Sequence, residues 1–282
     1  AVTTHLAQKG LVTPRLLRTR DGKRWVDTND RPWRAITFVH GRCVDRVSAP
    51  AQAESAGELV GRVHRALGDF DYEYVHVRSG VHDTARHLAK LEALRSDTGD
   101  DEANRLADEI LASAQALPTW SDLPRRHCHG DLKLSNVLFA DDDWRAICLI
   151  DLDTWGRQTI AYELGDALRS WCNPAGEDVE RPAVDLTILE SAAHGYSRGA
   201  EGLLASEEID AIVPGLETIC VELASRFAAD VFEDCYFGWD SSRFPSRRAH
   251  NLVRARGQLA LARSIGRRRD EAAALIDAAF GR

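Results

Sequence analysis

Three residues constrain this chain more than any other feature. Asp131, Asn136 and Asp151 are set in HCHGDLKLSNVLF, His127 to Phe139, and in IDLD, Ile150 to Asp153. The apolar runs Val137 to Ala140 and Ala146 to Ile150 lie on either side of an acidic turn and predict two short strands of a hairpin. Asp151 therefore leaves a rigid strand, which can deliver its carboxylate to the mouth of a site.

The stretch admits two chemistries. His127, Cys128, His129 and Asp131 are all zinc-ligand types, and imidazole, thiolate and carboxylate groups can fill a tetrahedral site. The H-x-H-x-D spacing resembles the start of the metallo-β-lactamase signature, but that motif continues with His and here Leu132 follows. His194 and His250 stand alone, so a second ligand cluster is not evident. Phosphoryl transfer makes a demand the chain meets. It needs an Asp to accept the proton of the attacking hydroxyl, then an Asn and a second Asp to hold Mg2+ on the phosphates of ATP. Asp131, Asn136 and Asp151 fill those roles at the required spacing. The reaction asks mainly for positioning and charge neutralisation, so this reading is favoured over zinc.

With 282 residues the chain can bury a sizeable core, in one large domain or two modest ones. Its net charge of −8 argues against nucleic acid, which demands a basic face. No apolar run approaches the ~20 residues of a membrane span. AVTTHLAQKG also lacks the apolar centre of a signal peptide, so a soluble, cytoplasmic protein with no membrane partner is expected. Cys43, Cys128, Cys148, Cys172, Cys220 and Cys235 form no C-x-x-C pair and read as reduced thiols. A start at Ala and the lack of any Met suggest that a segment precedes this chain. No signal of oligomeric state is present.

RWVDTNDRPWRAITFV, Arg24 to Val39, predicts a hairpin turning at Asn-Asp-Arg-Pro, the only substantial β signal before residue 130. Beyond Gly41 the period becomes helical. Ala53, Ala56, Leu59, Val60, Val63 and Leu67 share one face, and TARHLAKLEALRS and DEANRLADEILASAQAL repeat the theme. Helix dominates again after Tyr162, with breaks near Pro174, Pro214 and Pro245. A small β-containing head, residues 1–41, and a large helical body, residues 42–282, are expected.

HGDLKLSN, IDLD and ELGDALR resemble the aminoglycoside phosphotransferase and choline kinase superfamily, relatives of protein kinases that phosphorylate small molecules. Gly130 stands where protein kinases carry Arg, and only nine residues separate Asp153 from Glu163, too few for an activation loop. No A-P-E follows, so a protein substrate is not expected. Over nearly the whole chain the likeness narrows to the N-acetylhexosamine 1-kinases, through VTTHL, RPWRAITFVHG, VHDTARHLAKL, ELASRFAADVFEDCYF and HNLVRARGQLAL.

This resemblance implies an α+β, protein-kinase-like fold of the aminoglycoside phosphotransferase type. A truncated β-containing N-lobe would end in a hinge at Phe38, Val39 and His40, whose backbone would meet the adenine. A large helical C-lobe would carry the catalytic loop and the metal-binding hairpin. It also implies ATP-dependent phosphorylation of a small sugar at the anomeric hydroxyl of an N-acetylhexosamine, held by Arg226 and Tyr236. The Arg226 to Tyr236 spacing is one residue shorter than is usual there. Rival readings are a kinase for an aminoglycoside or choline, suggested by acidic clusters around Asp234 and Asp240, and a non-catalytic sensor of nucleotide or sugar.

The neighbours of the three residues have expected parts. His129 should brace the loop, and Lys133 can reach the transferred group. Asp166, with Arg169 a turn later, should anchor the loop rather than touch substrate. SRRAHNLVRARGQ is basic, yet its helical spacing in an acidic chain suggests a solvated or internally paired helix.

Overall fold

The computed structural model describes residues 1–29, 31–95 and 101–282. A short helix α1 (Val2–Gln8) precedes an antiparallel hairpin of β1 (Val26–Thr28) and β2 (Arg31–Trp33). The hairpin lies where expected but turns earlier. Thr28 faces Arg31, and Asn29 adopts a φ of 48°, which Asn tolerates better than most residues. Arg31 and Pro32, expected in the turn, belong to β2. Its residues are all exposed, which suits a Pro that cannot donate to a ladder.

Three helices follow, α2 (Pro50–Ala66), α3 (Thr84–Arg95) and α4 (Asp101–Ala114), and α2 begins with Pro in its first turn, where a missing N–H costs nothing. Then β3 (Arg125–Cys128) pairs with β6 (Gly156–Thr159), enclosing the predicted hairpin of β4 (Val137–Phe139) and β5 (Ala146–Leu149). The outer pair was not expected. RRHC and GRQT carry neither alternation nor an apolar run, so their pairing is set by the chain around them.

The body is completed by α5 (Ile160–Trp171), α6 (Leu186–Ala200), α7 (Ser206–Asp210), α8 (Ile212–Glu233), α9 (Arg247–Arg267) and α10 (Arg269–Ala279). The prolines punctuate as expected. Pro174 follows α5, Pro214 lies in the first turn of α8, and Pro245 precedes the α9 cap, where Ser246 Oγ accepts from Ala249 N at 3.1 Å.

Two helix pairs meet backbone to backbone. A Cβ on Gly195 of α6 would lie 1.9 Å from Glu54 O of α2, and one on Gly215 of α8 would lie 2.1 Å from Ala161 O of α5. Any side chain there would push the helices apart. The second contact packs α5 against α8, and Asp166 of α5 lines one cleft with Glu222, Arg226 and Asp230 of α8. Leu59, Val60, Val63 and Leu67 are buried as predicted, and Val2, Leu6 and Leu11 join the same apolar core, whereas Trp25, Trp33 and Phe38 of the head are exposed. No helix among the described residues is long and apolar enough to cross a membrane.

Candidate active site

The loop from His129 to Asp131 hangs on one buried carboxylate. Glu163 accepts from His129 N at 2.6 Å and from Gly130 N at 2.9 Å, and its Oε1 lies 3.2 Å from His64 Nε2. The other His64 nitrogen meets Tyr196 OH at 3.0 Å, so α2, α5 and α6 converge beneath the loop. Burial opposes a charge on Glu163, but His64, His129 and the Gly130 N–H outweigh it and hold the carboxyl below its ordinary range. Gly130 has a φ of 79°, and a Cβ there would lie 2.8 Å from Thr154 O. His129 bonds Ile150 O through Nε2 at 2.8 Å, and its own carbonyl accepts from Thr154 Oγ1 at 2.7 Å. The ring ties the loop to the end of β5.

Asp131, Lys133, Asn136 and Asp151 are brought together at that end. Asp131 Oδ2 accepts from Lys133 Nζ at 3.0 Å and from Asn136 Nδ2 at 3.1 Å, while the same amide donates to Asp131 O at 2.8 Å. Asn136 O accepts from Ile150 N at 3.0 Å, directly before Asp151. Burial alone would lower the pKa of Lys133, but the Asp131 carboxylate, with Asp151 and Asp166 behind it, raises it above its ordinary value. Lys133 is a firm cation beside Asp131.

Asp151 sits in the left-handed region at φ 57°, a conformation that a non-glycine residue adopts only where its surroundings enforce it. Among the described residues its carboxylate has no hydrogen-bond or ion-pair partner, and neither has the side-chain oxygen of Asn136. Two uncommitted hard oxygen donors beside a carboxylate suit a divalent cation such as Mg2+. Asp153 instead pairs with Arg34 of the head.

The zinc ligands are spoken for. His127 uses both ring nitrogens, on Tyr74 OH at 2.9 Å and on Phe70 O at 2.6 Å, and burial lowers its pKa. Burial pushes the Cys128 thiol well up, away from the thiolate that zinc requires.

A cleft of about 1130 Å³ is lined by Asp131, Lys133 and Asp151 together with Arg226 and Tyr236. The Arg226 guanidinium lies 5.7 Å from the Phe237 ring centre and makes no hydrogen bond among the described residues. Tyr236 OH meets Arg78 Nη2 at 3.4 Å. Asp230 fixes this wall by accepting from Cys235, Tyr236 and Phe237 N at 3.0, 2.8 and 2.8 Å and from Asn251 Nδ2 at 2.9 Å. Asn251 belongs to the HNLVRARGQ run, whose His250 and Arg254 both bind Asp178, at 2.7 and 3.0 Å. That basic run is internally paired.

Phe38, Val39 and His40 are not part of the cleft lining. They run into Arg42, which exchanges both backbone hydrogen bonds with Phe139 of β4 at 2.9 Å, and Phe38 is 80% exposed. Arg78, His82 and Arg86 do line the cleft, although sequence reasoning named none of them. Arg78 and His82 lie in an irregular stretch before α3 and Arg86 in its first turn, where the VHDT run was the available signal.

A model of the phosphotransferase enzyme family matches residues 1–201. The homoserine kinase of Granulibacter bethesdensis is 31% identical over 226 residues, covering 79% of this chain and 65% of that protein. The homoserine kinase of Zymomonas mobilis subsp. mobilis is 29% identical over 178 residues, covering 61% and 52%. The chain thus spans between half and two thirds of the length of these curated relatives, and they are not N-acetylhexosamine kinases. Among solved structures, the choline kinase of Cryptosporidium parvum Iowa II superposes with a TM-score of 0.61 at 10% identity, covering 100% of this chain and 80% of that one. An amicoumacin kinase in complex with AMP-PNP, Ca2+ and Ami gives 0.59 at 15% identity, covering 92% and 75%. The fold is the kinase-like one.

Proposed function

The chain belongs to the phosphotransferase enzyme family, the premise from which we propose that it is a small-molecule kinase, moving the terminal phosphoryl group of ATP to a hydroxyl of a small acceptor. The observation that carries this is that Asp131 and Asp151, both lining a cleft large enough for a small molecule, sit with Asn136, hydrogen-bonded to Asp131 behind them, and that Asp151 and the Asn136 side-chain oxygen are uncommitted among the described residues. Asp131 accepts the acceptor's proton as the new O–P bond forms and the bond to the departing ADP oxygen breaks. Lys133 offsets negative charge beside the transferred group. Asn136 and Asp151 would hold Mg2+, which supplies charge neutralisation on the phosphates when bound. In this reading residues 1–41 belong to the N-lobe, with the hinge at Phe38, Val39 and His40 for adenine, and residues 42–282 are the C-lobe.

The acceptor we favour is an N-acetylhexosamine, phosphorylated at its anomeric hydroxyl. Arg226 and Tyr236 line the same cleft as Asp131 and are planar donors suited to ring oxygens and an acetamide carbonyl. A hydroxy amino acid such as homoserine is the second reading. It is supported by the curated relatives and by Arg78, Arg86 and Arg226, which have no carboxylate partner among the described residues and could take the acceptor's own carboxylate. A cationic acceptor is less well served. Glu222, Asp230 and Glu233 are already bound by protein groups.

The test is to supply the full-length protein with Mg-ATP and N-acetylglucosamine, N-acetylgalactosamine, homoserine, choline or an aminoglycoside, and identify products by mass spectrometry. A hexosamine 1-phosphate is the expected product. Homoserine phosphate as the main product would move the assignment to the second reading, and no phosphorylated product from any acceptor would defeat the proposal.

A further inference from the structure

Two buried polar groups in the cleft lack hydrogen-bond partners, and the roles given above use neither. His82 lies just before α3; its side chain is buried, and neither ring nitrogen makes a hydrogen bond among the described residues. Asp166 of α5 gives Oδ1 to Arg169 Nη2 at 3.0 Å, as the helical spacing predicted, while its buried Oδ2 has no such bond. Both residues line the same cleft as Asp131. Leaving a buried polar atom without a partner costs free energy, so two in one cleft require an explanation.

The surroundings hold His82 in place rather than satisfy it. Glu222 Oε1 stands 3.5 Å from Nδ1, and its Oε2 accepts from Thr84 Oγ1 at 2.6 Å. The imidazole stacks on Tyr162 with ring centres 6.2 Å apart. Its backbone lies in the left-handed region at φ 49°, which the neighbouring structure must enforce. Burial alone would lower the His82 pKa, but Glu222, Asp166 and Glu163 raise it. Burial likewise opposes charge on Asp166, and Arg169, His82 and the backbone N–H of Leu132 overcome this to keep it a carboxylate, so Asp166 also touches the loop it was expected to anchor. One group is therefore a hydrogen-bond donor and the other an acceptor.

We infer that His82 and Asp166 form the acceptor-recognising floor of the cleft, His82 Nε2–H donating to one hydroxyl of a polyhydroxylated ring and Asp166 Oδ2 accepting from another. This rests on the kinase reading and names the class of its acceptor. An acceptor with only an ammonium group would satisfy Asp166 alone, one with only a carboxylate would satisfy His82 alone, and an apolar acceptor would leave both unpaired. An amino acid offers both charges, and titration with the deoxy sugars and homoserine separates it from a polyhydroxylated ring. Hydroxyls donate and accept, so a pair of them satisfies both. The two are specificity-determining residues, with no part in moving the phosphoryl group.

Titration calorimetry on the full-length protein tests the subsite without requiring turnover, using N-acetylglucosamine, its 3-deoxy, 4-deoxy and 6-deoxy analogues, homoserine and choline. Wild type should bind the parent sugar and lose about tenfold in affinity for at least one deoxy analogue, the loss expected for one hydrogen bond. In His82→Asn, a residue that accepts the left-handed backbone, and in Asp166→Asn, that penalty should shrink to within about twofold while the parent sugar binds more weakly. The wild-type series stands by itself should a variant misfold. Failure of wild type to bind the sugar, equal binding of all analogues, or an unchanged penalty in folded variants would overturn the subsite. Sugar binding without phosphorylation would leave the subsite in place and count against the kinase reading.

Discussion

Asn136 Nδ2 donates to both the backbone oxygen of Asp131, at 2.8 Å, and its carboxylate Oδ2, at 3.1 Å. With Lys133 on the same oxygen at 3.0 Å, Oδ2 is committed, and Oδ1 is the atom left to take a proton. Asp131→Asn keeps the shape and removes the acceptor. Turnover should fall by roughly 100-fold to 10,000-fold with Mg-nucleotide affinity retained. Rapid-quench turnover and nucleotide titration measure the two, and near-normal turnover would remove Asp131 from the role of base.

Gly130 should resist substitution. An alanine would adopt a φ of 79° and place its Cβ 2.8 Å from Thr154 O and 3.1 Å from Val81 Cγ1, with backbone on one side unable to yield cheaply. Gly130→Ala should cost about 1–3 kcal/mol in stability and shift Asp131. Denaturant midpoints read the first effect and turnover the second; a neutral result in both would mean that the loop has slack.

How much of this was legible depends on what holds each element. The hairpin of β4 and β5 shows as two apolar runs because Val137, Leu138, Phe139, Cys148 and Leu149 are all buried. With it came Asp131, Asn136 and Asp151, whose spacing the chemistry dictates. The β3–β6 pair was hidden because Arg125 and Arg157 are exposed and the pairing depends on tertiary register. His82 was hidden for another reason. Neither its left-handed backbone nor its nearness to Asp166 of α5 follows from any local pattern.

Glu163 links stability to acid. Its folded pKa lies below the ordinary 4.5, so it contributes stability that is present above that value and lost as pH falls through the depressed one. Glu163→Gln should destabilise the protein at neutral pH by about 1.5–3 kcal/mol, since two backbone N–H groups lose a charged partner. The gap in melting temperature between wild type and variant should narrow as pH is lowered below the carboxylate range. A gap that stays constant would show that Glu163 is not anionic in the folded protein.

Zinc offers a separate check. With His127 bonded through both nitrogens and Cys128 a buried thiol, purified protein should carry no stoichiometric zinc by elemental analysis. One zinc per chain, lost in His127→Ala, would restore the hydrolytic-metal reading of HCHGD.

The wall carrying Arg226 and Tyr236, proposed to hold the acceptor, gives the sharpest split between binding and chemistry. Arg226 makes no hydrogen bond within the described protein, and Tyr236 is 59% exposed with its hydroxyl 3.4 Å from Arg78, so neither is needed to hold the fold. Arg226 is carried by α8 and the Tyr236 backbone by Asp230, and both supports remain when the side chains are cut back. Arg226→Ala should therefore leave melting temperature nearly unchanged. Loss of one hydrogen bond to the acceptor costs about 0.5–1.5 kcal/mol, and more if it strands a buried partner, so the acceptor KM should rise by roughly tenfold. Tyr236→Phe removes only a hydroxyl and should raise it by a few-fold at most. The KM for ATP should not move in either variant, because the phosphates are assigned to other residues of the cleft, Lys133 and Asp151 among them. Steady-state kinetics with each substrate varied in turn settle the matter. Wild-type acceptor kinetics in both variants, or a rise in the ATP KM instead, would mean that the acceptor binds elsewhere and that this wall serves the nucleotide.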